Sequence, residues 1–325
     1  MIYVELPDDR VRRLSFYLAM EEYVARHMDE RDFFFMWQVE PSVIFGRNQL
    51  IENEVNLEFC RNRGIRTYRR KSGGGCVYAD MKNIMFSYIT SEENVGFTFN
   101  RYINMVVLVL NRLGVDARAN GRNDIMIGDR KVSGNAFYKL PGRSVVHGTM
   151  LYDTDMENMV GSITPTDGKL LSKGVRSVRQ RIALLKDHIG MDMDEFKLFV
   201  RDNLCKNRVT LTESDVSAVE HIERGYLSDD FIYGNNPRYT VTRRGRIEGV
   251  GEMEVRMELK NDIIKAVNIV GDYFLTGDMD SMLIAPLIGT RLTAEELTAA
   301  LPRNTEDVVM NLSREELVKL LMSKG

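Results

Sequence analysis

Along the first half of the chain, short apolar runs alternate with longer segments in which apolar residues recur at helical spacing. Four apolar residues between Val11 and Tyr23 have roughly that spacing and predict a first helix near residues 9–28. A longer segment, Phe99–Leu113, predicts a second helix that ends at Gly114, a natural left-handed cap. The segments interpreted as strands or strand-like flanks are Phe33–Val39, Ser42–Phe45, Gly64–Arg70, Cys76–Tyr78, Ile84–Ile89, Asp124–Ile127, Lys131–Ser133 and Val146–Tyr152. Because these elements do not follow a strict βαβ order, we expect a mixed α/β fold, with a largely antiparallel sheet covered by helices.

The sequence changes character near residues 222–237, where a polar segment is typical of a linker. Beyond it, Met253–Lys260 alternates apolar and charged residues, which predicts a half-buried strand. Asn261 and Asp262 then turn the chain into Ile263–Val270 and complete a predicted hairpin.

Two helices are predicted after this hairpin, each opened by a capping box. The pairs are Thr293 with Glu296 and Ser313 with Glu316, in which the first side chain caps the helix and the second reaches back. An apolar stripe within Leu317–Leu321 supports the last helix. The C-terminal part is therefore expected to be a small α+β domain, and it carries no visible chemical motif.

Composition and charge narrow the class of protein. The 325 residues are 44% hydrophobic and 28% charged, which is ordinary for a soluble globular protein. The net charge of −3 gives no basic field that would attract nucleic acid or an anionic membrane. Three widely spaced cysteines form no metal-binding pattern, and a reducing compartment suits them best. The N-terminus lacks the layout of a signal peptide, so we expect a cytoplasmic protein.

The most informative chemistry lies in one glycine-rich segment. Arg69–Lys71 and the hydroxyl of Ser72 stand directly before the triplet Gly73–Gly75 and an apolar run that reaches Tyr78. Glycine lets a ligand approach backbone N–H groups closely, and those groups with neighbouring cations suit a phosphate or carboxylate. The segment is interpreted as an anion-binding loop, with a merely flexible turn as the alternative.

Several segments together resemble the lipoate–protein ligase A family, and the order and spacing of the segments are more specific than any one of them. They are Gly46–Gln49, Arg69–Tyr78, Gly121–Ile125, Lys131–Gly134, His147–Leu151, Lys173–Val178 and Gly271–Phe274. The resemblance implies the biotin/lipoate ligase fold, which is related to the catalytic domains of class II aminoacyl-tRNA synthetases. It also implies a catalytic domain over residues 1–228 and an accessory C-terminal domain over residues 229–325.

The resemblance implies a two-step reaction. ATP and lipoate form lipoyl-AMP and pyrophosphate, and the lipoyl group then moves to a lysine of a carrier domain. The carriers would be lipoyl domains of 2-oxoacid dehydrogenase complexes or the glycine cleavage H protein, with no nucleic acid or membrane partner. ATP and lipoate would be substrates, and Mg²⁺ would accompany the ATP.

Residue roles follow from the same resemblance. The catalytic lysine of the family falls on Lys131, and its ATP-contacting arginine falls on Arg70. The other residues expected to bind ATP or lipoyl-AMP are Ser72, Gly73, Gly74, Gly75, Cys76, Val77, Tyr78, Asp80, Asn83, Asn123 and His147. For His147, a structural hydrogen-bonded role is an equal alternative. For Asp124, binding of Mg²⁺ between phosphates and plain turn chemistry are both open.

The chemistry of adenylation agrees with a central role for one lysine. The reaction sets a carboxylate beside a triphosphate, so the site must offset their mutual repulsion. A cation about 4 Å from an oxyanion gains roughly 4 kcal/mol at an effective dielectric near 20. Lys131 leaves the tight turn at Gly128 and Asp129, so we expect it to be held rigidly.

The chain departs from the family pattern after Tyr78. Where the family has His-Asp-x-Gly-Asn, residues 79–83 place alanine at the histidine position and Lys82 at the glycine position. Met85 and Val146 replace residues that are usually polar. If the glycine used positive φ, Lys82 would cost about 1–2 kcal/mol; its ammonium could instead compensate by reaching the phosphates.

Three alternatives remain open at the level of sequence. One is an octanoyl or lipoyl transferase of the same fold, which would need a cysteine to carry a thioester. Cys60 and Cys205 lie outside the motifs, and Cys76 lies in the glycine-rich segment. Another is a catalytically weak homologue that binds lipoyl-adenylate. A biotin ligase fits less well, because its glycine–arginine-rich loop has another pattern.

Overall fold

The computed structural model describes residues 1–49, 51–121, 123–163, 179–233 and 241–323. Arg122 and Lys173–Val178, both in segments singled out from the sequence, lie outside the described residues, as does the end of the predicted linker at 234–237. Among the described helices, none combines the length and apolar character needed to cross a bilayer.

Backbone contacts divide the chain into two compact units, each of which is made of segments that are separated along the sequence. The first unit consists of Met1–Phe45, Glu52–Arg70 and Cys76–Ile232. The second consists of Gly46–Ile51, Lys71–Gly75 and Tyr233–Gly325. Two short segments from the N-terminal half of the sequence therefore belong to the second unit. The boundary predicted between residues 228 and 229 stays a prediction.

Up to Tyr233, the described elements alternate irregularly between strand and helix. The strands are β1 (Ile2–Glu5), β2 (Asp32–Trp37), β3 (Ser42–Phe45), β4 (Arg66–Arg69), β5 (Val77–Ala79), β6 (Ile84–Thr90), β7 (Ala117–Ala119), β8 (Asp124–Ile127), β9 (Arg130–Leu140), β10 (Arg143–Met150) and β11 (Asn207–Thr210). The helices are α1 (Leu14–His27), α2 (Ile51–Glu54), α3 (Leu57–Arg63), α4 (Val95–Arg112), α5 (Met156–Ser162), α6 (Met193–Leu204), α7 (Glu213–Tyr226) and α8 (Asp229–Tyr233).

Eight described strands form one sheet in the order β11-β1-β2-β6-β10-β9-β8-β7. Strand β1 runs parallel to β11 and to β2, and the other pairs in this sheet are antiparallel. A second, three-stranded sheet has the order β4-β3-β5, with β3 parallel to β4. The predicted mixed, largely antiparallel sheet is confirmed.

Helix α1 and the sheet form much of the core of the first unit. Leu14, Leu18 and Val24 of α1 are buried together with Phe33 and Trp37 of β2. The helix begins at Leu14 rather than near residue 9. The carboxylate of Asp8 accepts hydrogen bonds from the side chains of Arg10 and Arg12, which fastens the preceding segment as a loop.

The predicted linker near residues 222–237 begins too early. Helix α7 continues to Tyr226, and its buried residues Val216, Val219, Glu223 and Tyr226 recur at helical spacing. Thr212 opens the helix with a capping box. Of the polar residues that suggested a linker, Arg224 lies on the exposed side of this helix, whereas Glu223 is buried and accepts from the hydroxyl of Ser15.

The hairpin predicted around Gly128 is confirmed, with one irregularity that the sequence did not predict. Gly128 has φ of 58°, in the left-handed region. The register of β8 on β9 shifts between Ile125 and Met126, which face Ser133 and Lys131 respectively. Val132 is therefore an extra residue on β9, and this β-bulge lies between Lys131 and the rest of the strand.

The second unit contains its own small sheet and helices. The elements are β12 (Val241–Ile247), β13 (Gly251–Lys260), β14 (Ile263–Gly271), a π-helical turn at Asp280–Ile284, α9 (Ala285–Leu287), α10 (Ala294–Ala300) and α11 (Arg314–Met322). The sheet is antiparallel in the order β12-β13-β14. Met253, Val255 and Met257 alternate into the core, as predicted for a half-buried strand.

Only one of the two predicted capping boxes is complete. At α11, Ser313 and Glu316 exchange both hydrogen bonds. At α10, Thr293 accepts from the backbone N–H of Glu296, but the Glu296 carboxylate accepts from the backbone N–H of Arg291 instead. The first turn of α10 is thus tied to the residue two positions before its cap.

The turn between β13 and β14 allows a test of backbone strain. Asn261 and Asp262 have φ of 53° and 60°, the values of a type I′ hairpin turn. We expect Asp262→Val to lower the free energy of unfolding by about 1–2 kcal/mol, because a β-branched residue is strained at positive φ. Asp262→Gly is the matched control and should be neutral or stabilising. Chemical denaturation of both variants measures the difference; equal stabilities would show that the turn does not hold this conformation.

Candidate active site

Lys131 and Asp124 form an ion pair at the hairpin of β8 and β9. The Nζ atom of Lys131 lies 2.8 Å from Oδ1 of Asp124. The lysine side chain is 38% exposed and the aspartate side chain 21%, whereas Oδ1 of Asp124 is itself buried, so solvent reaches the pair from the lysine side. The backbone carbonyl of Lys131 accepts from the N–H of Ala183, which fixes the strand end from the other side. Both residues were predicted from the sequence as site residues, and they are in contact in the structure.

Hydrogen bonds fix the start of β8, and they join Asn120, Asn123, Asp124 and Asn135. The side-chain oxygen of Asn120 accepts from the backbone N–H groups of Asn123 and Asp124. The amide nitrogen of Asn120 donates to Oδ2 of Asp124 at 3.1 Å. Asn123 and Asn135 exchange backbone and side-chain hydrogen bonds between β8 and β9. The side chain that closes this turn is that of Asn120, and the Asp124 carboxylate accepts from its amide, so both interpretations of Asp124 stay predictions.

Arg70 is a buried cation at the end of β4. Its side chain is 4% exposed, and Nη1 donates to the carbonyl oxygen of Ile44 at 3.1 Å. Burial lowers the pKa of Arg70 to about 10, which still leaves the guanidinium charged at neutral pH. A buried charge is costly unless it meets a counter-charge or hydrogen bonds. The hydrogen bond to Ile44 meets part of this requirement, and binding of ATP by Arg70 stays a prediction.

The residues after the glycine triplet lead into strand β5. Cys76 precedes the strand, and Val77 and Tyr78 are its first two residues. Val77 and Tyr78 pair with Ile44 and Val43 of β3, so their backbone is held in the small sheet. Burial raises the pKa of the Cys76 thiol to about 12. The thiol is therefore protonated at neutral pH and is a poor nucleophile.

Asp80 and Asn83 organise the turn between β5 and β6. The carboxylate of Asp80 accepts from the backbone N–H groups of Lys82 and Asp155. The side-chain amide of Asn83 donates to Oγ1 of Thr154 at 3.0 Å. Burial raises the pKa of Asp80. Both residues fix the backbone here, and their predicted contact with the nucleotide stays a prediction.

Lys82 sits in this turn without the strain considered for it. Among the described residues other than glycine, positive φ occurs at Asn261, Asp262 and Asn311, so Lys82 has an ordinary backbone conformation. Its side chain is 61% exposed, and Nζ lies 4.0 Å from Oδ2 of Asp153. A surface carboxylate thus faces the ammonium that was expected to reach phosphates.

His147 lies in a buried polar network beneath α1. Its Nδ1 is 3.0 Å from both carboxylate oxygens of Glu21, a residue with no exposed surface. Glu21 also accepts from the hydroxyls of Ser87 and Tyr138, and Ser87 accepts in turn from the indole N–H of Trp37. The hydrogen-bonded structural role considered for His147 is therefore present, and its partner is the carboxylate of Glu21. Contact with the adenylate stays a prediction.

Glu21 was not predicted from the sequence. A signal was present: a carboxylate on a helix in which the neighbouring residues Leu18 and Tyr23 predicted a buried face. Because an ionised carboxylate is almost never fully buried without partners, such a position predicts a polar network.

The glycine triplet belongs to the second unit and packs there against backbone. The N–H of Gly74 donates to the carbonyl oxygen of Tyr273 at 3.0 Å, and Gly74 has φ of 84°. A Cβ added to Gly73 would lie 2.3 Å from that same oxygen. A Cβ added to Gly46 would lie 2.2 Å from the carbonyl oxygen of Gly74. Gly46 and Gly73 are therefore required for close backbone packing and Gly74 for its positive φ, whatever ligand the loop binds.

Neighbouring hydrogen bonds complete this packing. The N–H of Arg47 donates to the carbonyl of Ser72 at 2.9 Å, and the side chain of Ser72 is fully buried. The N–H of Gly271 donates to the carbonyl of Asn48 at 2.9 Å. Three segments that the sequence singled out separately, near residues 46–49, 72–75 and 271–274, are thus one backbone cluster in the second unit.

Comparison with known proteins gives the class of this enzyme. Residues 14–204 match the family model of the lipoyl protein ligase A/B catalytic domain, and residues 236–321 match that of the bacterial lipoate protein ligase C-terminus. Together with the mixed sheet and the Lys131 hairpin, these matches define a ligase. The chain belongs to the lipoate–protein ligase family, which confirms the resemblance found in the sequence.

Individual relatives agree over most of the chain. Lipoate-protein ligase LplJ of Bacillus subtilis is 31% identical over 319 residues, which cover 94% of this chain and 95% of that protein. A bi-partite lipoate protein ligase from Thermoplasma acidophilum, analysed with its E2 lipoyl domain, superposes with a TM-score of 0.65 at 26% identity. That match covers 74% of this chain and 98% of the archaeal chain. A lipoate-protein ligase A bound with ATP superposes with a TM-score of 0.62 at 25% identity, covering 72% and 98% of the two chains.

The backbone packing of the glycine triplet can be tested with two alanine substitutions. We expect Gly73→Ala to lower the free energy of unfolding by about 1–3 kcal/mol, because its Cβ meets a backbone oxygen that cannot yield. Gly75→Ala is the control, since its Cβ would lie 3.9 Å from the nearest atom, Cβ of Asp272. Thermal unfolding of both full-length variants compares them. Equal melting temperatures would show that the loop does not pack against Tyr273 in solution.

Proposed function

We propose that this protein is an ATP-dependent lipoate–protein ligase that works through lipoyl-AMP. In the first step, a lipoate carboxylate oxygen attacks the α-phosphorus of ATP, and the bond to the β-phosphate oxygen breaks to release pyrophosphate. In the second step, the ε-amine of a carrier lysine attacks the acyl carbon. An amide forms, AMP leaves with its phosphate oxygen, and the amine gives up a proton.

The observation that carries the proposal is the solvent-accessible ammonium of Lys131 at the base of a fixed hairpin. The lysine offsets the repulsion between the carboxylate and the α-phosphate as they approach, and its charge stabilises the oxyanion that develops during transfer. Its present partner, Asp124, lies 2.8 Å away and is one fifth exposed, so a substrate anion competes with a partly solvated carboxylate. That competition is modest, since exposed ion pairs contribute about 0–1 kcal/mol.

Arg70 is the second cation assigned to the first step. It is buried, charged at neutral pH and placed directly before the glycine segment in the chain. Its planar fork suits the paired oxygens of a phosphate. The proposed binding of ATP by Cys76, Val77 and Tyr78 uses their backbone, and the pairing with β3 holds Val77 and Tyr78 in place.

The donors around Asp124 do not fit a magnesium ion held by the protein alone. Oδ1 lies against the ammonium of Lys131, and Oδ2 accepts from Asn120. In the part of the chain that the structure describes, no group of three or more metal-ligating side chains forms a metal site. The proposed reaction therefore has no step that depends on Asp124 as a metal ligand, and Mg²⁺ binding by this residue stays a prediction.

Lipoyl carrier domains are the proposed acceptors. The family membership and the archaeal relative analysed with its E2 lipoyl domain support this class of partner. Within it, the lipoyl domains of 2-oxoacid dehydrogenase complexes and the glycine cleavage H protein are the acceptors proposed from the sequence. Lipoylation of each purified carrier, followed by mass spectrometry, distinguishes between them.

The transferase alternative is disfavoured by the state of the thiols. Burial raises the pKa of Cys60 to about 11 and that of Cys205 to about 12, as it does for Cys76. A thioester-forming cysteine needs a lowered thiol pKa or an adjacent base. All three cysteines of the chain have the opposite shift.

Replacing Lys131 tests the proposed first step. We expect Lys131→Ala to reduce pyrophosphate release from ATP and lipoate by at least about 100-fold, because the main charge at the reacting oxygens is lost. The melting temperature should change little, since the half-exposed pair with Asp124 contributes weakly to stability. Lys139→Ala, an exposed lysine on the same strand, is the control and should keep full activity. Normal pyrophosphate release by Lys131→Ala would contradict the assignment.

The cysteine chemistry gives a prediction that depends on pH. A raised pKa keeps Cys76 protonated below that pKa, so its alkylation at pH 8 should be roughly a thousand-fold slower than that of a free cysteine and should rise with pH. Cys76→Ser should keep ATP-dependent ligation within a few-fold of the parent. Iodoacetamide labelling with mass spectrometry measures the first effect. Trapping of an acyl thioester on any cysteine would favour the transferase instead.

A further inference from the structure

Gly134 lies in the middle of β9, where a glycine is unfavourable unless something approaches it closely. The close neighbour is the side chain of Lys131. A Cβ added to Gly134 would lie 2.6 Å from both Cε and Nζ of Lys131, and 3.6 Å from Oδ1 of Asp124. The end of the lysine side chain therefore lies in the space that any larger residue at position 134 would fill.

The β-bulge at Val132 explains how the two residues meet. In a regular strand, side chains three positions apart point to opposite faces of the sheet. Here Lys131 pairs with Met126 and Ser133 with Ile125, which leaves Val132 as an extra residue. The extra residue shifts the alternation, so Lys131 shares a face with Gly134. Asp124 is the direct cross-strand partner of Gly134, and its carboxylate projects onto the same face.

We infer that Gly134 is a positioning residue for Lys131, and that it acts together with the bulge at Val132 and the carboxylate of Asp124. Because Gly134 has no side chain, it leaves a space for the end of the Lys131 side chain, and we call this space the seat. The bulge turns the lysine side chain toward the seat, and the Asp124 carboxylate holds the ammonium at 2.8 Å. In this arrangement Asp124 serves the lysine as a counter-ion. The inference rests on the proposed role of Lys131 in adenylation.

The effect of a substitution at Gly134 depends on whether the atoms that the new Cβ meets can move. The end of a lysine side chain is flexible, so Gly134→Ala can be accommodated by moving the ammonium rather than the backbone. Non-bonded carbon atoms approach to about 3.5 Å, so the lysine end must move by roughly 1 Å. A misplacement of about 1 Å in a catalytic group can cost about 100-fold in rate. The seat therefore controls activity more than stability.

We expect Gly134→Ala to reduce pyrophosphate release about 100-fold, while its melting temperature stays within a few degrees of the parent. Gly190→Ala is the first control, because nothing lies within 4 Å of its added Cβ and its φ is ordinary. It should change neither quantity. Gly161→Ala is the second control: its Cβ would lie 2.3 Å from the ring of Phe59. It should lower the melting temperature but keep specific activity below that temperature.

The position of the ammonium can be measured without catalysis. Amine acylation of the full-length protein, quantified by mass spectrometry as the labelling of Lys131 relative to Lys139, reports how well the lysine is held. We expect Gly134→Ala and Asp124→Asn each to raise this ratio several-fold. The second variant leaves Gly134 in place, so it keeps the measurement meaningful if the first variant folds poorly.

The outcomes separate this inference from the proposed function. Pyrophosphate release by Gly134→Ala within two-fold of the parent would overturn the inference, as would a loss of activity with an unchanged labelling ratio. If Lys131→Ala were active, the proposed role of the lysine would fail, whereas the labelling ratio would still show whether the seat exists. Reduced pyrophosphate release by Gly134→Ala, together with raised labelling of Lys131 in this variant, supports both the inference and the proposed function.

Discussion

The antiparallel pairing of β9 with β8 on one side and β10 on the other is the constraint on which the candidate site depends. It sets Gly134 opposite both Asp124 and Thr149, and it brings His147 opposite Ala136. Hydrogen bonding in these ladders fixes where each side chain projects, so one irregularity changes the chemistry of the face. The extra residue in β9 is such an irregularity, and bulges are common next to active sites because they re-aim a side chain.

Two kinds of polar chemistry coexist in the first unit and differ in their exposure to solvent. The Glu21–His147 network lies under α1, where nearly every polar atom must find a partner because water is excluded. The Lys131–Asp124 pair is partly exposed, so another anion can approach its ammonium. A substrate anion can replace a carboxylate only in the second setting. Between these two pairs, the degree of burial separates the structural pair from the one suited to catalysis.

Local patterns in the sequence were sufficient for elements whose signal is contained within a few residues. The alternation in Met253–Lys260 and the turn at Asn261 are of this kind, and both are confirmed. Strands β1 and β11 were not predicted, because β11 is mostly exposed and the two depend on pairing between distant segments. Helices α6 and α7 were missed although capping boxes open both of them.

Lys131 and Asp124 were predicted as site residues from the sequence, but their contact was not. The normal two-residue period of a strand would place Lys131 and Gly134 on opposite faces, and only the pairing register shows the bulge. The glycine triplet was interpreted through a ligand, whereas the atom that makes Gly73 necessary is the carbonyl of Tyr273. No local pattern connects these two residues.

The distance along the chain between the glycine loop and Tyr273 has a consequence for how the protein is made. Gly74 leaves the ribosome about 200 residues before Tyr273, its hydrogen-bond partner in the second unit. At about 5–20 residues per second, that interval is roughly 10–40 s. All of the first unit, which ends at Ile232, is synthesised before the loop can take its final conformation. In the nascent chain, the loop therefore lacks its hydrogen-bond partner until β14 and Tyr273 have left the ribosome.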